Sequence, residues 1–148
     1  MCGIAGVLQA GDRPVDAPVL EAMAAALAHR GPDQSGVLAH GPVGLAATRL
    51  SLLDLGETGA QPQADGSRAL VFNGEVYNHR ELAAELTAAG VVLRGRSDTE
   101  VLLHALGRWG VAATLPRLRG MFAFAYADLA THEVWLARDR LGIKPLVW

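Results

Sequence analysis

Apolar and polar positions along this chain switch repeatedly between a period near two and a period near 3.6, and that order of segments sets the first expectation of fold. The apolar run after Cys2, punctuated by Gly3 and Gly6, reads as a strand. Gly11-Asp12-Arg13-Pro14 reads as a turn. Residues 16–29 place Val19, Leu20, Met23, Ala26 and Leu27 on one helical face, and Gly31-Pro32 forbids continuation. Residues 35–40 and 43–53 suit a hairpin around Gly41-Pro42, followed by a polar loop over 56–68. Residues 69–72 form a short apolar strand that runs into Asn73-Gly74, a strong turn dipeptide.

A helix is expected over 78–89, closed by Gly90, with 91–93 as a strand. Ser97 and Glu100 have the capping-box spacing and open a helix that runs to about Trp109 and stops at Gly110. Residues 111–118 suit a short helix interrupted by Pro116. Residues 120–128 and 132–139 suit a hairpin turning near Ala130-Thr131, and 141–148 begin a further strand. Antiparallel strand pairs with two or three helices between them predict an α+β protein, helices packed on sheets.

Composition narrows the picture. A chain of 148 residues fits one domain, and 51% hydrophobic against 19% charged residues argues for a packed globule rather than disorder. A net charge of −2 offers no electrostatic reason to expect nucleic acid or an acidic membrane surface. Apolar runs such as 121–127 are too short to span a bilayer, and the N-terminus lacks the basic and long apolar regions of a signal peptide. One cysteine cannot form an internal disulfide, so a soluble protein of the reducing cytoplasm is expected. The sequence contains no dinucleotide fingerprint, P-loop or paired-cysteine zinc motif, and its five histidines lack metal-ligand spacing.

That one cysteine carries the candidate chemistry. Cys2 follows the initiator methionine directly, and its small side chain favours methionine trimming, which would leave a thiol and a free α-amine on one residue. The thiol is a strong nucleophile, and an α-amine titrating near about 8 can take and return a proton. A chance cysteine ahead of a buried strand is the plain alternative.

Seven motifs in order supply context: Cys2-Gly3-Ile4-Ala5-Gly6-Val7, His29-Arg30-Gly31-Pro32-Asp33, Arg49-Leu50-Ser51, Phe72-Asn73-Gly74-Glu75-Val76-Tyr77-Asn78, Ser97-Asp98-Thr99-Glu100, the run Leu118 to Phe124, and Ala137 to Leu146. Together they resemble the class II glutamine amidotransferases, and the His-Arg-Gly-Pro-Asp form resembles the glutamine-dependent asparagine synthetase branch. The resemblance implies an N-terminal-nucleophile hydrolase fold, two antiparallel sheets between helical layers. It implies that Cys2 attacks the side-chain amide of L-glutamine, and that Asn73 and the Gly74 N–H hold the oxyanion. It also implies that Arg49 takes the substrate carboxylate, that Glu75 and Asp98 take its ammonium, and that Leu50, Ser51, Leu52 and Leu53 line the pocket.

By itself each residue has a plainer reading. Asn73-Gly74 could be only a turn, and Asp98 could be only a favourable carboxylate at a helix N-terminus. Residues 29–33 read best as a structural ion-pair turn beneath the site, 121–124 as core strand, and Arg138-Asp139-Arg140 as a buried or half-buried charge cluster.

The resemblance further implies no cofactor for the glutaminase step, with ATP and magnesium confined to a synthetase domain whose pyrophosphate loop this sequence lacks. Such a domain normally continues beyond Lys144-Pro145-Leu146, so a C-terminally incomplete domain is expected, with an exposed sheet edge at 146–148. The ammonia acceptor, a synthetase domain or partner chain, is left open, as is the oligomeric state. A non-catalytic glutamine-binding or docking module, or another amidotransferase branch, stands as the alternative.

Overall fold

In the computed structural model, which describes residues 2–50 and 59–148, two antiparallel sheets lie between helical layers. Strands β1 (Gly3–Leu8), β2 (Gln34–His40) and β3 (Val43–Arg49) form the first sheet in the order β1-β3-β2. Strands β4 (Gln63–Asp65), β5 (Arg68–Val76), β6 (Gly120–Asp128) and β7 (Glu133–Arg138) form the second in sequential order. The longer helices are α1 (Ala17–Ala26), α2 (His79–Ala88) and α3 (Asp98–Trp109), and a single turn, α4 (Val111–Thr114), follows them.

The period of two along each strand sorts side chains into layers. On β6, Phe122, Phe124 and Tyr126 pack with Leu82, Leu86, Leu102 and Leu106 of α2 and α3. The intervening Ala125 and Ala127 meet Val43, Leu45 and Ala47 of β3 across the gap between the sheets. Leu20 and Ala24 of α1 cover Ala46 on the outer face of β3. The order is therefore helix, sheet, sheet, helices, the four-layer arrangement expected. Bulk is unevenly divided: a fully buried aromatic such as Phe124 contributes about 3–5 kcal/mol on the scale of Phe→Ala truncations, whereas alanines let the sheets approach. Gly44 serves α1 in the same way, since a Cβ there would lie 2.7 Å from Val15 and 2.8 Å from Leu20 side-chain carbons.

Several local expectations change. The α1 helix ends at Ala26 and tightens into a 3-10 turn over Ala28–Arg30, and its buried side chains are Leu20 and Ala24, with Val19 48% exposed. The expected loop over 56–68 contains β4, whose three residues pair with Leu70, Ala69 and Arg68. Asn73-Gly74 is no turn: β5 runs through it to Val76, and the antiparallel ladder with β6 overrides the dipeptide's local preference. Residues 91–93 form no strand; Val91 and Leu93 rest on the helical core while Val92 is 82% exposed. Residues 141–148 also form no strand, because Asp139 gathers the backbone of 141–144 into a turn. The sheet edge expected at 146–148 is therefore absent.

The capping box at α3 is half formed. Ser97 accepts from the Glu100 N–H at 3.2 Å, but Glu100 turns away and accepts from Arg94 and Gly95 N–H at 2.7 and 2.8 Å. The glutamate thereby orders the loop that enters the helix.

Candidate active site

Alternation along the strands decides which residues meet. Ile4 on β1, Ala47 on β3, Val71 on β5 and Ala125 on β6 all point between the sheets. Cys2, Arg49, Asn73, Glu75 and Met121 lie an even number of residues from these and so share that inter-sheet side. At this end of the sandwich the layer opens into a cavity of about 270 Å³ lined by Cys2, Arg49, Leu50, Asn73, Gly74, Glu75 and Asp98. Gln61, Phe72, Ser97, Thr99, Met121 and Lys144 complete its lining. Of the expected site residues, Ser51, Leu52 and Leu53 lie outside the described residues.

The β1–β3 register pairs Gly3 with Thr48, which sets Cys2 opposite Arg49 one step further along. Thr48 fastens this end, accepting the Gly3 N–H at 3.2 Å and donating to the Leu27 carbonyl at 3.0 Å. The 29–33 turn lies beneath it. Arg30 Nε donates to the Cys2 carbonyl at 3.2 Å, and the Asp33 N–H donates to the Arg49 carbonyl at 3.1 Å. Gly31 permits this contact, because a Cβ would stand 2.5 Å from the Thr48 carbonyl carbon. The turn thus braces Cys2 and Arg49 together through the backbone. Arg49 is buried, donates to Gln34 Oε1 at 2.9 Å, and packs against Gly59, where a Cβ would come within 2.6 Å of its Cζ.

The facing wall comes from β5 and its neighbours. Asn73 is buried, and the chain at Gly74 is pressed so closely on β6 that a Cβ would meet the Met121 carbonyl oxygen and stand 2.7 Å from Phe122 Cα. Gln61 accepts the Phe72 N–H at 2.6 Å. Asp98 is the first residue of α3 rather than its cap, which is Ser97. Its Oδ2 accepts the Val76 N–H at 3.0 Å, tying the helix to the end of β5. Burial pushes the Asp98 carboxyl above its ordinary range. The Val76 N–H and the charge of His79 oppose that shift, and the charge of Glu75 adds to it.

The Arg138-Asp139-Arg140 cluster divides. Arg138 and Arg140 are exposed, and Arg140 donates to the Leu118 and Pro116 carbonyls at 3.0 and 3.1 Å. Asp139 alone is buried and accepts N–H groups from Phe122, Leu141, Ile143 and Lys144. Burial acts to raise its carboxyl, but those four donors outweigh it and lower it to about 2.

Gln61, Phe72, Ser97, Thr99, Met121 and Lys144 are the lining residues that sequence reasoning did not assign to the site. Gln61 sits in a polar loop that carries no pattern, and Met121 reads as core by alternation. Lys144 had a signal, being the sole lysine of the sequence. No group of three or more His, Cys, Asp or Glu able to hold a metal ion occurs among the described residues.

The family model for the glutamine amidotransferase domain matches residues 1–148. Asparagine synthetase (glutamine-hydrolyzing) 1 of Bacillus subtilis is 39% identical over 156 residues, covering all of this chain and 24% of that protein. The asparagine synthetase (glutamine-hydrolyzing) of Sandersonia aurantiaca is 37% identical over 150 residues, covering 99% of this chain and 28% of its own length. The chain therefore spans about a quarter of the length of these curated relatives. Among solved structures, glutamine phosphoribosylpyrophosphate amidotransferase from Bacillus subtilis superimposes with a TM-score of 0.77 over 96% of this chain and 38% of that one. At 24% identity that likeness speaks for the fold. Matched along its whole length by the family's model, the chain belongs to the glutamine amidotransferase domain family.

Proposed function

We propose that the chain hydrolyses the side-chain amide of L-glutamine and supplies the ammonia to an asparagine-synthetase-like, ATP-dependent amide-forming domain or partner. The observation that carries this reading is the convergence of Cys2, Arg49, Asn73, Gly74, Glu75 and Asp98 on one cavity. Acyl transfer from an amide needs a nucleophile, a proton carrier and an oxyanion stabiliser, and a zwitterionic substrate needs one cation and one anion.

With Met1 removed, the Cys2 thiol passes its proton to its own α-amine and Sγ attacks the glutamine amide carbon. The tetrahedral oxyanion accepts from the Asn73 side-chain amide and the Gly74 N–H. The α-amine returns the proton to the departing nitrogen, leaving a γ-glutamyl thioester and ammonia. It then takes a proton from the water that releases glutamate. Arg49 holds the substrate carboxylate, for which a guanidinium is suited by its paired donors. Asp98 and Glu75 hold the ammonium. Protein groups alone carry these steps; ATP and magnesium belong to the amide-forming reaction. A reducing cytoplasm suits an enzyme that works through a free thiol. Among the described residues no helix is long and apolar enough to cross a membrane.

The test pairs intact mass with ammonia release. Protein lacking Met1 should take a single adduct at Cys2 from a glutamine-like electrophile, and Cys2→Ala should abolish both adduct and ammonia. Trimmed protein that binds glutamine and releases none would replace this reading with the non-catalytic binding module.

A further inference from the structure

We propose that Lys144 is a second cation of the glutamine site, its ammonium stabilising the negative charge that develops on the substrate amide oxygen. This deepens the glutaminase reading and rests on it. Of thirteen lysine and arginine residues, twelve are arginine, so this sequence meets its need for surface cations almost wholly with guanidinium groups. Its one lysine is 6% exposed and lines the same cavity as Cys2. Arg49 and Lys144 are the buried cations among the described residues, and both line that cavity. Burying an ammonium is costly, and the cost is met where a negative partner is present or forms.

The backbone geometry fixes the root of the lysine. Its N–H and that of Phe122 both donate to Asp139 Oδ2, at 3.0 and 3.1 Å. Phe122 pairs with Gly74 across the β5–β6 ladder. The root of the side chain is therefore held on the β7 side of β6, about two strand spacings, roughly 10 Å, from Asn73 and Gly74, and the long lysine stem covers that gap toward the cavity it lines. Arg49 and Cys2 occupy the facing sheet, so the two cations approach the substrate from different walls. An ammonium is a compact point charge on a flexible stem, and it fits beside a single oxygen where a guanidinium fork matches a carboxylate. Charge balance agrees. Glu75 and Asp98 are matched by Arg49 and Lys144, so the cavity presents no net negative charge to oppose a thiolate or an oxyanion.

Two measurements on the full protein decide the proposal. Lys144→Met should lower kcat for glutamine hydrolysis by about 10²-fold, with KM changed by less than about threefold, as for loss of one oxyanion-stabilising group. A kcat within about threefold of wild type, or a rise confined to KM, overturns it. The second measurement leaves Lys144 in place. In Cys2→Ala protein, glutamine at ten times its Kd should slow amidination of Lys144 by an imidoester about tenfold, read by peptide mapping. No protection overturns the proposal even if Lys144→Met does not fold. Wild-type protein that hydrolyses no glutamine would instead defeat the underlying glutaminase reading, so the two failures are distinguishable.

Discussion

Asp98 and Asp139 stand near the same cavity and are buried almost equally, 7% and 5% exposed, yet their carboxyls move in opposite directions. Asp139 has four backbone N–H donors and is driven down to about 2. Asp98 has the backbone N–H groups of Val76 and Thr99 and a helix N-terminus behind it, and burial outweighs them. The difference separates a carboxylate saturated by backbone donors from one that lines the cavity. Asp139 spends its acceptors on the chain and fastens the 141–144 turn to β6. Asp98 has fewer backbone donors and lines the cavity, at a cost in folding stability when ionised, as the proposed contact with a substrate ammonium would require.

The comparison breaks most sharply at Asp98→Asn. Truncating one partner of a buried charge pair costs about 2–5 kcal/mol in binding, so KM for glutamine should rise on the order of 10²-fold. The fold should tolerate the change, because the asparagine oxygen still accepts from Val76. The sign of the pH effect follows from the raised carboxyl: folding stability falls as pH rises from about 4 through its folded value. Above that value Asp98→Asn should melt no lower than wild type. A melting temperature well below wild type, with KM unchanged, would make Asp98 structural and erase the contrast. The wild-type KM should also rise on acidification as Asp98 protonates, and this limb should vanish in the variant.

Asp139→Asn should reverse the pattern. Four N–H groups lose a charged acceptor and an amide N–H is turned toward some of them, so unfolding free energy should fall by about 3 kcal/mol. Chemical denaturation measures it. The lowered carboxyl contributes stability that is present above about pH 4 and lost as pH falls toward about 2, so the acid-side decline in stability should flatten in the variant. The smallest expected effect is Ser97→Ala. It removes the cap from α3 and should cost about 1 kcal/mol while moving Asp98 little, seen as a modest loss of stability with near-normal KM.

Much of the fold could be read from the residues. The helix over 98–109 has a cap at Ser97, an apolar face and a stop at Gly110, all local signals that agree. The hairpin 120–128 and 133–138 follows from alternation, and the α+β class follows from element order. Local signals failed where pairing overrode them. Asn73-Gly74 favours a turn in isolation, but the ladder to Met121, Phe122 and Ala123 holds it extended. Residues 141–148 are apolar enough for a strand, but one buried carboxylate folds their start into a turn.

By itself the sequence determined which chemical groups the site has to draw on. A thiol placed second in the chain, Arg49, Asn73-Gly74 and Asp98 at a helix start are covalent facts, and the family motifs around them carry their expected roles. Only the tertiary structure decided which side chains share one volume. The strand period of two and the facing of two sheets put Cys2, Arg49 and Asn73 on the inter-sheet side. The Asp139 knot carries Lys144 to the same cavity from 142 positions along the chain, a juxtaposition no local pattern encodes because it is set by long-range pairing and burial.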